Sequence, residues 1–430
     1  MASEKTPQSE PTSFPDSAPF ESTVRACIEQ HAASLDQLSL AIWERPELCF
    51  QEFFAVQTIT AYLEQAGHRV TRNFCNLETS FLAEFQTEGF DASAQHPAIA
   101  VLLEYDALPE MGHACGHNLI TEAGLAAYLA VCEALRSSNL QAKILCMGAP
   151  AEEGGGGKVK LVEAGAFRDI DFAMMVHPSP IDIVEVAILG ITRLDVEFFG
   201  KAAHASCGPW EGINALDAAV AAYNNIAMLR QRLKAGNQIH IVVLNGGAKP
   251  NIIPDYTKCQ YIIRAPTTAA MEILKKNVMA CLKAAATATG CRLEAQFGDP
   301  QYEPLMLNGT MLSVYRHYGQ KNGMFFPVMR PSYGSTDMGN VSTAIPSIHP
   351  AFAVGELHMI HTKEFQVVSG KPEALKRARR AGLTMAMTTL ELIANPQLRK
   401  KARQEFEETR MGFVGNDVES STAKGDFSNF

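Results

Sequence analysis

Ala98-Ile99-Ala100-Val101-Leu102-Leu103 is an unbroken apolar run that leads straight into Glu104-Tyr105-Asp106-Ala107-Leu108-Pro109 and then Gly112-His113-Ala114-Cys115-Gly116-His117-Asn118. Apolar residues without alternation read as a strand covered on both faces. Two later runs repeat the arrangement. Lys143 to Met147 opens into Gly148-Ala149-Pro150-Ala151-Glu152-Glu153, and Phe172 to Val176 ends in His177-Pro178. Each strand thus delivers ligand-type residues at its C-terminal end, the edge where sites form in an open parallel sheet. The fold class that follows is α/β, with a largely parallel central sheet flanked by helices.

Working outward, Val24, Ile28, Leu35, Leu38 and Ile42 recur at helical spacing before Pro46 closes the run. A second helix is expected from Glu52 to Gln65 with Gly67 as its stop, a third from Asn118 to about Leu135, and a short one from Val159 to Glu163. The four glycines before Lys158 resemble a phosphate loop. They fail its test, because no Gly opens the motif and Val159 stands where Ser or Thr would bind magnesium.

From about Val186 the rhythm changes. A strand (192–199), a helix (214–233), two strands (239–244 and 258–264), a long helix (268–289) and a strand (292–297) spell βαββαβ, the ferredoxin-like order. The expected organisation is therefore a leader over 1–19, one domain built from 20–186 and 304–395, an inserted domain over 187–303, and a charged helix with a disordered tail over 396–430. The tail proper is expected from Met411, after a helix over Gln397 to Arg410.

The net charge of −9 supplies no basic stripe for nucleic acid. The first twenty residues lack the apolar stretch of a signal peptide, and no apolar run is read as spanning a bilayer. The ten cysteines then read as thiols of the reducing cytoplasm, and the sequons at Asn308 and Asn340 as chance matches.

Cys115 and His117, with Glu152-Glu153 some thirty-five residues on, provide thiolate, imidazole and a spare carboxylate, the inventory of a hydrolytic transition-metal site. In isolation Cys-x-His better fits a buried thiol beside a core histidine. The shared strand-end context favours ligation.

Beyond these residues the chain resembles the M20 family of aminoacylase and carboxypeptidase-type metallopeptidases, and within it the amidohydrolase branch. The matching pieces, in family order, are Arg45-Pro46-Glu47-Leu48, Glu104 to Pro109, His113 to His117, Ala151-Glu152-Glu153, Val176-His177-Pro178, Gly200-Lys201-Ala202-Ala203-His204-Ala205-Ser206, Asn251-Ile252-Ile253-Pro254 and Gly334-Ser335-Thr336-Asp337. The resemblance implies Cys115, His117, Glu153, His177 and His361 as metal ligands, Glu152 as general acid/base and Asp106 as the carboxylate that orients the site. It prefers His361 to His358 and leaves His349 as a core or supporting residue. It also implies that His204 reaches the reacting oxygen across a dimer made by the inserted domain, and that Asn251 and Arg264 bind a substrate carboxylate.

Two departures from the aminopeptidase branch stand out. Glu104 occupies the place of a metal-binding His, and Cys115 that of a bridging Asp, which leaves one or two metal ions open. Asn118 also replaces a common Asp. Soft donors favour zinc, with manganese or cobalt as alternatives. The expected activity is hydrolysis of the amide bond in a small dipeptide or N-acyl amino acid, with a basic C-terminal residue (Lys, Orn or Arg) as one option. An aminoacylase-like or amide-forming enzyme of a specialised metabolite is the alternative. A non-catalytic scaffold would have lost ligands or the base, and none is missing.

Overall fold

The computed structural model describes residues 18–328 and 334–415. The expected leader therefore lies outside the described residues up to position 17, as does the expected tail from 416. Helix α1 (Ala18–Glu44) already begins inside the span assigned to the leader. It buries Val24, Ile28, Leu35, Leu38 and Ile42 along one face. Helix α2 (Phe53–Gln65) follows, its first turn capped by Glu47, whose carboxylate accepts from the Phe54 and Ala55 amides at 3.0 Å.

Strands β1 (Arg69–Arg72) and β2 (Phe81–Gln86) come next, and the sequence reading missed both. β1 is short and mostly exposed, so it carries no apolar pattern. Then come β3 (Ala98–Leu103), α3 (His117–Arg136), β4 (Lys143–Gly148), α4 (Gly157–Glu163), β5 (Phe172–Met174) and β6 (His177–Ser179). The third expected strand is thus broken. His177 opens β6 rather than ending β5, because the chain changes partner there.

The inserted unit contains β7 (Gly190–Phe199), β8 (Ala203–His204), α5 (Ala215–Arg230), β9 (Gln238–Asn245), β10 (Ile252–Ile253), β11 (Tyr256–Ala265), α6 (Thr268–Thr289) and β12 (Arg292–Phe297). Its four long strands form an antiparallel sheet in the order β12-β7-β11-β9. β7 and β11 alternate buried and half-buried or exposed residues, as expected of a sheet with one face on α5 and α6. This unit has its own core, built on Leu194, Val196, Phe198, Ala222, Tyr261, Leu274 and Leu282.

The chain returns through α7 (Gly309–Lys321), α8 (Met338–Ala344), β13 (Ser347–Ile348), β14 (Ala351–Ala353), α9 (Lys363–Ser369), α10 (Pro372–Ala394) and α11 (Pro396–Val414). The main sheet runs β1-β2-β4-β3-β5-β13. Strands β4, β3, β5 and β13 are mutually parallel, and β1 and β2 add an antiparallel edge. A separate parallel pair, β6 with β14, continues beyond it.

Helix α3 is by length and composition apolar enough to cross a membrane, contrary to the sequence reading, yet 94% of that window is buried in the protein. It packs against α1 and α10 as a core helix. The terminal charged helix runs on to Val414, past the expected stop at Arg410. It is also tied to the main domain, because Glu405 accepts from the Gly309 and Thr310 amides at 2.6 and 2.8 Å, while Phe406 is buried. The sequon residue Asn308 is 2% exposed and caps α7.

Candidate metal centre

The carboxyl edge of β3 and β4 meets the start of α3 in one buried cluster. Gly116 makes this possible. It sits at φ +79°, and a Cβ there would lie 2.7 Å from Pro178 Cγ. Only glycine lets the Cys115-Gly116-His117 backbone approach the His177-Pro178 strand so closely. His177 Nε2 consequently lies 3.4 Å from Cys115 Sγ.

Both histidine rings are held so that Nε2 faces the cluster, His177 towards Cys115 Sγ and His117 towards Glu104 Oε2 at 3.4 Å each. Nδ1 of His117 is 2.9 Å from Asp106 Oδ1, and Nδ1 of His177 is 2.7 Å from the Pro178 carbonyl oxygen. Such a bond sets the tautomer of a ligating histidine. The other oxygen of Asp106 accepts the Glu153 backbone amide at 2.9 Å, so one carboxylate orients two members of the site.

Glu152 and Glu153 stand on a tight turn begun by Ala151 at φ +59°, whose amide donates to Glu52 Oε1 at 2.8 Å. The Tyr302 hydroxyl donates to the Glu152 carbonyl at 2.7 Å. His361, also at positive φ (63°), donates its backbone N–H to Ala114 O at 2.8 Å, and its Nε2 lies 3.2 Å from Glu153 Oε1. His358 pairs outward with Glu356 instead.

Three sets of donor atoms fall within 4.8 Å of one another: Cys115, His117 and His177; Cys115, Glu153 and His361; and Glu104, His117 and Glu152. The first two share the thiol. His117 Nε2 and Glu104 Oε2 are buried without a hydrogen-bond partner, a cost that a cation removes. The donor set therefore fits one or two divalent ions.

Electrostatics follow from burial. Desolvation, then the carboxylates of Glu104, Glu153 and Asp337, push Glu152 well above the usual carboxylate range. Burial also acts on Glu153, but its bond to His361 and the charge of His117 hold its carboxyl below the ordinary value. Burial raises the Cys115 thiol, and burial next to His117 pulls His177 down to about 4. A bound cation favours the thiolate and neutral imidazoles.

Sequence reasoning did not join Lys158 to Glu104, noted only as a departure at a ligand position, or to Asp337, quoted only within a matching motif. Lys158 is fully buried, with Nζ 2.5 Å from both Glu104 Oε1 and Asp337 Oδ1. Its partners are 54 and 179 residues away along the chain, so no local motif marks the cluster. Asn118 has a structural duty: its Nδ2 donates to Ser39 Oγ and the Ser369 carbonyl.

A cavity of about 430 Å³ opens from Cys115, Glu152, Glu153, His177 and His361 towards Arg264 and Ser335. Arg264 Nη1 donates to Ser335 Oγ at 2.5 Å. His204 and Asn251 are not brought there. They lie on the β8–β10 ribbon, where Asn251 O accepts the Ala205 amide and His204 is exposed, its Nδ1 facing the Ser206 and Cys207 amides at 3.3 Å. Among the described residues of one chain, nothing carries them into the cavity.

The peptidase dimerisation domain of the M20 family matches residues 186–289. Over 389 residues the chain is 41% identical to the Xaa-Arg dipeptidase of Mus musculus, covering 88% of this chain and 90% of that protein. It is 29% identical to a component of the p-aminobenzoyl-glutamate hydrolase of Escherichia coli (strain K12), covering 85% and 90%. Among solved structures, a dinuclear metal-binding peptidase of the M20 family from Bacillus subtilis superposes with a TM-score of 0.68 at 21% identity, covering 84% of this chain and 99% of that one.

Proposed function

The chain belongs to the M20 metallopeptidase family, and from that premise we infer that its buried centre hydrolyses the amide bond of small dipeptides or N-acyl amino acids with the help of divalent metal. The observation that carries this reading is the pair of donor triplets meeting at Cys115 with Glu152 beside them. When bound, the metal supplies a Lewis acid for the amide carbonyl and acidifies water.

The remaining steps belong to the chain. Cys115, His117 and His177 would hold one ion, and Cys115, Glu153 and His361 a second where two bind. Glu152, a carboxylate with a raised proton affinity in a dry site, takes a proton from the attacking water and delivers it to the departing amine. Asp106 keeps His117 in its ligating tautomer. Arg264, at the far side of the cavity, pairs with the substrate carboxylate. A thiolate with imidazoles makes zinc the preferred ion, with manganese or cobalt as substitutes. The relatives named Xaa-Arg dipeptidase support Arg on the leaving side, and Lys or Orn share its positive charge.

A homodimer completes the site in this reading. β9 is an edge strand exposing Val242, Val243 and Leu244, and α5 exposes Val220 and Tyr223, an apolar surface suited to a second copy. His204 and Asn251 then serve the partner's cavity. Ten free cysteines agree with a cytoplasmic setting.

A second reading, an aminoacylase-like enzyme or an amide-forming one, is favoured by one feature. Pro178, Pro180, Ile183, Val186 and Ile188 give the cavity an apolar wall suited to an uncharged acyl group. The test is chelator treatment, reconstitution with zinc, manganese or cobalt, and mass spectrometry on β-alanyl, γ-aminobutyryl, α-aminoacyl and N-acyl conjugates of basic and neutral amino acids. Metal-restored cleavage of basic dipeptides supports the first reading, and cleavage confined to N-acyl conjugates the second. No cleavage with metal bound refutes both hydrolytic readings.

A further inference from the structure

One buried histidine at the cavity is left over from the ligand set. His349 is 2% exposed and lines the same cavity as Cys115, Glu152, His361 and Arg264. Its Nδ1 is buried without a hydrogen-bond partner, and its Nε2 has none among the described residues. Nδ1 is sealed from solvent, whereas Nε2 is not among the sealed atoms, so Nε2 is the nitrogen that the ring can offer to a ligand in the cavity.

The fold fixes the ring's position. His349 lies on the link between β13 and β14, clamped on either side by the Met175 amide donating to the Ile348 carbonyl at 3.2 Å and the His177 amide donating to the Pro350 carbonyl at 3.0 Å. Its ring stands edge-on to His177, with centroids 5.8 Å apart, and His177 is edge-on to His117 at the same separation. His349 is therefore the third imidazole of a row, one ring removed from Cys115. It is absent from every donor triplet, so it is free to serve the substrate rather than the metal.

We propose that His349 contacts the substrate, donating a ring N–H to the oxygen of the scissile amide carbonyl. This rests on the amide-hydrolase reading above. As negative charge gathers on that oxygen, the contact strengthens, so the residue acts on the reacting atoms from within the same chain, in addition to any group contributed by the dimer partner.

The experiment compares the full-length wild type with His349→Phe and His349→Gln, each loaded with the metal that supports wild-type turnover. Phe keeps the ring's volume without its nitrogens, and Gln returns a donor near the Nε2 position. The expected result is a kcat for His349→Phe lower by roughly 10²-fold with little change in KM, and a smaller loss for His349→Gln. Metal content by plasma mass spectrometry stays at the wild-type value in both.

A His349→Phe enzyme within about threefold of wild type overturns the proposal and makes the residue a core histidine. A variant that loses its metal overturns it in favour of metal support, and one changed only in KM overturns the assignment to the reacting oxygen. If His349→Phe fails to fold, His349→Gln decides by the same kcat and KM comparison with the wild type, and an unchanged kcat overturns the proposal. A wild type that turns over none of the conjugates overturns the hydrolase reading itself, and this inference with it.

Discussion

Replacing Lys158 by Met keeps most of the side-chain volume and removes the charge that joins Glu104 to Asp337. Nζ is 2.5 Å from both carboxylates, all three side chains are 0% exposed, and the Lys158 backbone amide still holds Asp337 Oδ2 at 2.8 Å. Breaking a buried ion cluster by removing one partner costs about 3–5 kcal/mol, because the survivors remain desolvated. At roughly 2–4 °C per kcal/mol for a domain of this size, the melting temperature at pH 8 should fall by roughly 6–20 °C. Burial already raises the Asp337 carboxyl to about 6 against the pull of Lys158. Without the lysine, its proton affinity rises further, so acid relieves the strain and the deficit should narrow towards pH 5.5. Asp337→Asn added to Lys158→Met should recover part of the loss. Calorimetry at the two pH values decides. A single variant as stable as wild type at pH 8, or a deficit that grows with acid, would refute the reasoning.

Three other perturbations follow from the same geometry. Glu152→Gln should lower kcat by at least about 10²-fold while metal content is retained. Mixed one-to-one with His204→Ala it should regain roughly a quarter of wild-type activity, since half of the dimers are mixed and each carries one intact composite site; no recovery on subunit exchange would exclude action across the dimer. Glu52 is fully buried, and burial followed by the nearby Asp106 charge raises its carboxyl from 4.5 to about 7. A raised carboxyl contributes stability below its unfolded value that is lost as pH rises through 7. Glu52→Gln, which keeps an acceptor for the Phe50 and Ala151 amides, should therefore be more stable than wild type by about 3 kcal/mol at pH 8, at about 1.36 kcal/mol per pH unit. The gain should vanish near pH 4.5 in denaturant titrations, and a gain independent of pH would contradict the assignment. Gly116→Ala should cost about 1–2 kcal/mol for its left-handed backbone alone. Because the new Cβ meets Pro178, it should also weaken metal retention in a chelator competition, and unchanged retention would show that the loop has room to spare.

Much of the architecture was legible along the chain. The strand at Ala98–Leu103 was read to the residue, and that at Lys143–Gly148 to within one, because burial on both faces leaves an unbroken apolar run. The inserted unit was legible because its strands alternate and its helices are long. β1 escaped because an edge strand such as Arg69–Arg72, mostly exposed, needs no apolar signature, and β2 because its buried run, Phe81-Leu82-Ala83, is only three residues long before Glu84 interrupts it.

At the site, Cys115, His117, Glu152, Glu153 and His177 announced themselves as ligand-type residues at the ends of predicted strands. What the sequence by itself determined was thus most of the candidate donors, since parallel strands must release them at one edge, while His361 entered only through the family resemblance. The tertiary structure decided which atoms meet. It joined Cys115 to two donor triplets, sealed Lys158 between carboxylates distant along the chain, left the His349 ring without a hydrogen-bond partner among the described residues, and kept His204 and Asn251 on a ribbon away from the cavity of their own chain. Those relations depend on contacts between residues tens to hundreds of positions apart, and local periodicity carries no record of them.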